Sequence, residues 1–205
     1  MPETKEAILL TALHLFAAEG YEAVSVSQIA GALGMTKGAL YKHYQNKRDI
    51  FDHILLRMEQ MDALQAENYA LPEGTAAEMA EKYHSVSIEQ FVAYSRSQFR
   101  YWTEDDFASS FRKMLTLEQF RSEEMQKLYQ QYLAAGPVGY VADLFTALEL
   151  PAPQEHAAVF YAILFLFYSL YDGAVDQQEI TAQFEKALEH FVENELAPIQ
   201  KETTQ

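Results

Sequence analysis

The fold of this chain turns on one stretch: Ser25-Val26-Ser27-Gln28-Ile29-Ala30-Gly31-Ala32-Leu33-Gly34-Met35-Thr36-Lys37-Gly38-Ala39-Leu40-Tyr41-Lys42-His43-Tyr44-Gln45-Asn46-Lys47-Arg48. Ser25 followed three residues later by Gln28 is a capping-box pattern, and it opens a short helix carrying Val26, Ile29, Ala30 and Leu33. Gly34 takes positive φ at little cost, so the chain is expected to turn there. Thr36 can then cap a second short helix running through Tyr44, with Leu40 and Tyr44 four residues apart on its inward face. Small Ala30, turning Gly34 and anchoring Leu40 have the spacing of a helix-turn-helix unit. The outward face of the second helix presents Lys37, Gly38, Tyr41 and Lys42, with His43 at its margin. At that face, Thr36, Lys37, Gly38, Tyr41 and Lys42 are expected at base edges in a major groove, and Ser25, His43 and Lys47 at phosphates.

Extended by its flanks, the stretch resembles the DNA-binding head of the TetR family of bacterial transcriptional regulators. The matching pieces are Phe16-Ala17-Ala18-Glu19-Gly20-Tyr21, Ser25 to Ala30, Gly34 to Tyr44, and Asn46-Lys47, so the likeness covers roughly residues 4 to 57. It implies an all-α fold: a helix-turn-helix head over residues 1–48 and a helical effector-binding and dimerisation body over 49–205. It also implies a homodimer on a palindromic operator, a cavity for a small-molecule effector, and repression more than activation.

Charge supports the head independently. The chain carries 15 Lys and Arg against 30 Asp and Glu, a formal net charge of −15, which is unfavourable for binding a polyanion. Yet no acidic residue lies between Glu22 and Asp49, a window holding Lys37, Lys42, His43, Lys47 and Arg48. Residues 1–57 carry six basic and six acidic residues, so the excess negative charge sits wholly in the remainder. An acidic body repels DNA and restricts contact to the head.

A chain of 205 residues with 49% hydrophobic content can fill a core. Without cysteine it has no disulfide, thiolate metal site or cysteine nucleophile, which suits a cytoplasmic location. Ile8 to Ala18 is apolar, but Glu3, Glu6 and His14 mark it as an amphipathic helix. Ala157 to Tyr171 is uncharged and apolar almost all round, yet short of the ~20 residues that span a bilayer, so no membrane crossing is expected.

Along the chain, Thr4 caps a first helix that ends at Gly20. Asn46 caps a long helix with Asp49 at its third position, continuing towards Ala66 as the one continuous element joining head to body. Leu71-Pro72-Glu73-Gly74 is a break, and Thr75 reopens helix. Ser87 with Gln90, and then Ser122, start further helices; Gly136-Pro137 interrupts, and Pro151-Ala152-Pro153 stops. The apolar helix over 157–171 and the last helix, carrying Ile180, Phe184, Leu188, Phe191 and Leu196, have surplus apolar surface. Phe160, Ile163, Leu166, Phe167, Leu170, Phe184, Leu188 and Phe191 are therefore the expected dimer interface, as a four-helix contact between subunits.

Glu81-x-x-His84 has the spacing of a di-iron ligand pair, but no second such pair occurs. With scattered histidines and no nucleophile or phosphate motif, neither a metal site, a cofactor nor catalysis is expected. Of the aromatic residues, 22 lie beyond residue 57. Tyr94, Gln98, Tyr101, Trp102, Tyr129 and Tyr132 combine aromatic walls with polar tips and form the candidate lining of an effector cavity. The alternative reading keeps the fold but works through protein–protein contacts without specific DNA binding; the intact Lys37, Tyr41, Lys42, His43 and Lys47 argue against it.

Overall fold

A computed structural model describes residues 2–68 and 87–196. Among them are helices α1 (Pro2–Glu19), α2 (Val26–Ala32), α3 (Lys37–Leu40), α4 (Lys47–Asn68), α5 (Ile88–Glu104), α6 (Asp106–Glu118), α7 (Glu123–Leu133), α8 (Ala135–Ala147), α9 (Pro153–Gly173) and α10 (Gln177–Phe191). The last runs on into a π-helical turn, Val192–Leu196. No strand occurs among the described residues, so the fold is all-α. The expected break at Leu71–Gly74, the reopening at Thr75 and the Glu81/His84 pair lie outside the described residues.

Contacts divide the chain into two compact units: Met1–Leu64 with Asp105–Gln130, and Gln65–Glu104 with Gln131–Gln205. This division differs from a boundary at residue 48, because α6 and most of α7 group with the amino-terminal helices. The helix from Lys47 is also not the one continuous connection, since α7 likewise passes from one unit into the other.

The first unit is built around the apolar faces of its helices. Ile8, Leu13, Phe16, Ile29, Leu40, Ile50, Phe51 and Ile54 are fully buried. Helix α1 begins at Pro2, not behind a Thr4 cap; proline is pre-organised for a first helical turn and gives up no needed donor. Asn46 Oδ1 accepts the Asp49 amide at 2.9 Å, while Asp49 Oδ2 accepts the Gln45 amide at 2.8 Å, so the start of α4 is capped from both sides.

The second unit centres on stacked rings. Phe99 and Phe184 stack with centroids 4.1 Å apart, and Phe91, Phe145, Phe160 and Phe191 pack around one another at 4.8–6.4 Å. Ser87 and Gln90 exchange the two bonds of a capping box, at 3.2 and 2.8 Å. Helix α9 is 21 residues long, so by length and composition it meets the requirement for a membrane span, against the expectation from its uncharged core. One face is buried in the unit's core through Ala157, Phe160, Tyr161, Leu164, Tyr168 and Tyr171.

Helix α8 ends in a Schellman turn. The Glu149 amide donates to the Thr146 carbonyl and Leu150 to Phe145, both at 3.0 Å, with Leu150 buried behind the turn. Glu149 occupies the left-handed position at φ 57°, where glycine is preferred. Glu149→Gly should stabilise the protein by about 0.5–1 kcal/mol, read as a melting point roughly 1–4 °C higher by calorimetry. No gain at all would mean that the Glu149 side chain offsets its backbone strain through contacts of its own.

Candidate nucleic-acid interface

The helix-turn-helix unit is closed by local bonds at each of its joints. Ser25 Oγ accepts the Gln28 amide at 3.2 Å and Gln28 Oε1 accepts the Ser25 amide at 2.8 Å, completing the capping box. At the other end of α2, Gly34 at φ 64° makes a second Schellman turn: its amide donates to Gly31 and that of Met35 to Ala30, each at 3.0 Å. Thr36 Oγ1 accepts the Ala39 amide at 3.1 Å and starts α3. Regular helix is shorter than expected, ending at Leu40, but turn bonds carry the chain on: Tyr44 donates to Leu40 at 3.2 Å.

This framing sorts the second helix into two faces. Leu40 and Tyr44 are buried, and the Tyr44 hydroxyl donates to the Lys5 carbonyl at 3.1 Å. Burial, with a smaller contribution from Asp49, pushes that hydroxyl's pKa up to about 12, so it remains a donor throughout the physiological range. Thr36, Lys37, Gly38, Tyr41 and Lys42 are exposed, and His43 is half-buried beside them. A Cβ on Gly38 would meet nothing within 4 Å, so that side of the helix is open. The Lys37 ammonium lies 5.6 Å from the Tyr41 ring centroid, and Tyr41 is 43% exposed. A cation, an aromatic ring and a bare backbone therefore stand together on one open face.

Lys47 is less free than its neighbours. Its ammonium donates to the Tyr21 carbonyl at 2.8 Å, lies 3.8 Å from a Glu22 carboxylate oxygen, and sits 4.3 Å from the Tyr21 ring centroid. It holds the corner between α1 and α2 while keeping part of its surface open. Arg48, not singled out from the sequence, is committed elsewhere. It makes a two-pronged pair with Glu124 of α7 at 2.7 and 2.8 Å and bonds Asp52 at 2.7 Å. These hydrogen bonds, Glu124's first, push the Arg48 pKa further up, and Arg48 in turn holds the Glu124 carboxyl below its ordinary range.

Helix α6 supplies further partners that the sequence did not reveal. His14 Nε2 lies 2.9 Å from both Asp106 carboxylate oxygens, Arg57 pairs with Glu6 and stacks on Phe107, and Glu118 accepts the Tyr21 amide at 3.0 Å. Each joins residues far apart in the chain, and single-sequence periodicity carries no signal for such pairs.

The remaining candidates are distributed unevenly. Tyr94, Gln98, Tyr101 and Trp102 all lie on α5, where Trp102 Nε1 donates to Gln98 Oε1 at 3.1 Å and the Tyr101 and Trp102 rings are 5.5 Å apart. Tyr132 is buried in the same unit, whereas Tyr129 belongs to the first unit. Among the expected interface residues, Phe160, Phe184, Leu188 and Phe191 are buried in their own unit's core. Leu166 and Leu170 are exposed by 54% and 41%, and Ile163 and Phe167 are half-buried. No group of three or more potential metal ligands occurs among the described residues.

A helix-turn-helix head with a basic, open second helix, joined to a helical body, defines a class of DNA-binding fold. The family model of bacterial regulatory proteins of the tetR family matches residues 8–54, so this head is similar to that family. It is 44% identical over 52 residues to the HTH-type transcriptional regulator AcrR of Shigella flexneri, covering 25% of this chain and 24% of that one. It is 33% identical over 99 residues to the HTH-type transcriptional repressor BepR of Brucella suis, covering 47% and 46%. The matched stretches thus span a quarter to just under half of these relatives' length. A transcriptional regulator from Saccharomonospora viridis, solved in complex with choline, shares the fold. The TM-score is 0.64 at 18% identity, over 95% of this chain and 97% of that one.

Proposed function

We propose that the protein is a cytoplasmic, DNA-binding transcriptional regulator, a repressor that leaves a palindromic operator when a small-molecule effector binds its body. The observation that carries this reading is the open face of α3, with Thr36, Lys37, Gly38, Tyr41 and Lys42 outward and Leu40 and Tyr44 inward. The match of residues 8–54 to the TetR family supports it. Thr36, Lys37, Gly38, Tyr41 and Lys42 read base edges; Ser25, His43 and Lys47 meet phosphates. Ser25 spends an oxygen lone pair on its cap and keeps its hydroxyl proton for a phosphate. The functional head is residues 1–48, and residues 49–205 bind effector and partner subunit. The choline complex of the related fold supports a small organic effector in the body, with Tyr94, Gln98, Tyr101, Trp102 and Tyr132 of the second unit as its lining set.

Sequencing the genomic fragments that the protein retains from a random pool tests the reading, and selective retention of a palindromic site is expected. Lys47→Ala should then weaken binding to every sequence and lower the slope of log affinity against log salt by ~1. Tyr41→Ala and Lys37→Ala should change which operator is preferred. An unchanged salt slope for Lys47→Ala would leave Lys47 with its contacts to Tyr21 and Glu22 and remove it from the phosphate set.

A further inference from the structure

The backbone of Tyr21, the first residue after Gly20 ends α1, is held on both sides by charged side chains from distant parts of the chain. Its carbonyl accepts from Lys47 of α4 at 2.8 Å, and its amide donates to Glu118 Oε1 of α6 at 3.0 Å. The Glu118 side chain is only 1% exposed, and Arg121 Nε lies 3.6 Å from the same oxygen. Gly20 makes this approach possible in two ways. It sits at φ 88°, and a Cβ there would stand 2.6 Å from Glu118 Oε1. The Tyr21 ring is wedged between Phe16 and Phe51, with centroids 5.1 and 5.0 Å away. Four residues later Ser25 caps α2.

We propose that Glu118 is a positioning residue for DNA recognition: its buried carboxylate fixes the α1–α2 corner from which the helix-turn-helix unit departs, without touching DNA. This rests on the DNA-binding reading above. A carboxylate accepting a peptide N–H makes a charge-assisted bond, and deleting it leaves a buried donor unsatisfied. The corner then has only the Lys47 grip and the Tyr21 ring to hold its direction, and α2 and α3 inherit the slack. Helix α6 thereby gains a direct hold on the recognition unit besides its His14–Asp106 contact along α1.

The full-length protein, Glu118→Gln and Glu118→Ala are titrated with the fragment retained from the random pool, well below each melting point and across a range of salt. We expect operator affinity to fall more than about threefold for Glu118→Gln and further for Glu118→Ala. The salt slope should stay unchanged, because no phosphate contact is lost. Faster hydrogen exchange at the Tyr21 amide should accompany the loss. A purely structural role would lower the melting point but leave the folded protein's affinity intact; affinity within threefold of the unmodified protein therefore overturns the proposal. The isosteric Glu118→Gln decides if Glu118→Ala does not fold. Retention of no DNA by the unmodified protein would overturn the DNA-binding reading, and this inference with it.

Discussion

Leu166→Asp is expected to turn a dimer into a monomer and to cost at least about a hundredfold in operator affinity, because a single head reads only one half-site. Val159, Ile163, Leu166 and Leu170 recur at intervals of four and three residues, one stripe along α9. Their exposures distinguish this stripe from the core face: Val159, Leu166 and Leu170 are 52%, 54% and 41% exposed. In an isolated subunit, aspartate at position 166 replaces an apolar side chain facing water, so the fold should persist. In a twofold interface the same position occurs on both partners, and each carboxylate loses water without gaining a cation, at a cost of several kcal/mol. Light scattering at micromolar concentration should report dimer for the unmodified protein and monomer for the variant, with unchanged helical circular dichroism. A variant that stayed dimeric with full operator affinity would remove this stripe from the interface.

Local sequence separates core from surface less sharply in α9 than in the head. In the head, Ser25, Gly34, Thr36 and Asn46 punctuate short helices, so the register of Leu40 and Tyr44 followed from local chemistry, and both are buried as expected. Over 157–171 nearly every residue is apolar, and periodicity cannot say which side faces inward. Phe160, Phe184, Leu188 and Phe191, expected at the interface, are buried in their own unit's core, the three phenylalanines against other rings. Long-range polar pairs were illegible for a different reason. Glu118 and Tyr21 lie 97 residues apart, and Arg48 and Glu124 lie 76 apart. Nothing local marks Glu118 out from the many other acids of an acidic body. The sequence did mark Gly20, but as a helix terminator; its second role, leaving room for a carboxylate, belongs to the tertiary structure.

Gly136→Ala should be among the most damaging single substitutions in the second unit. From the sequence, Gly136-Pro137 is an interruption between two apolar runs; in the structure it is the tight start of α8 after α7 ends at Leu133. The helix is interrupted at Ala134, at φ −142° and ψ −98°, a conformation with no side-chain cap to support it. Just before it, the Leu133 carbonyl accepts the buried Tyr161 hydroxyl at 2.8 Å, which ties the end of α7 to α9. Pro137 is tolerated because a first-turn residue needs no amide donor. A methyl group on Gly136 would stand 2.0 Å from the Gln131 carbonyl oxygen and 2.9 Å from its carbon. Both are backbone atoms, so no rotamer change relieves the clash, and α7 and α8 must part. We expect a loss of about 2–4 kcal/mol, read by calorimetry as a melting point roughly 4–16 °C lower. Tyr132 lies two residues before this interruption, so effector binding should weaken as well, while the head's closure, built from Ser25, Gly34, Thr36 and Asn46, has no part in it. A Gly136→Ala protein melting within 2 °C of the unmodified one would mean that the start of α8 shifts away from Gln131 without cost.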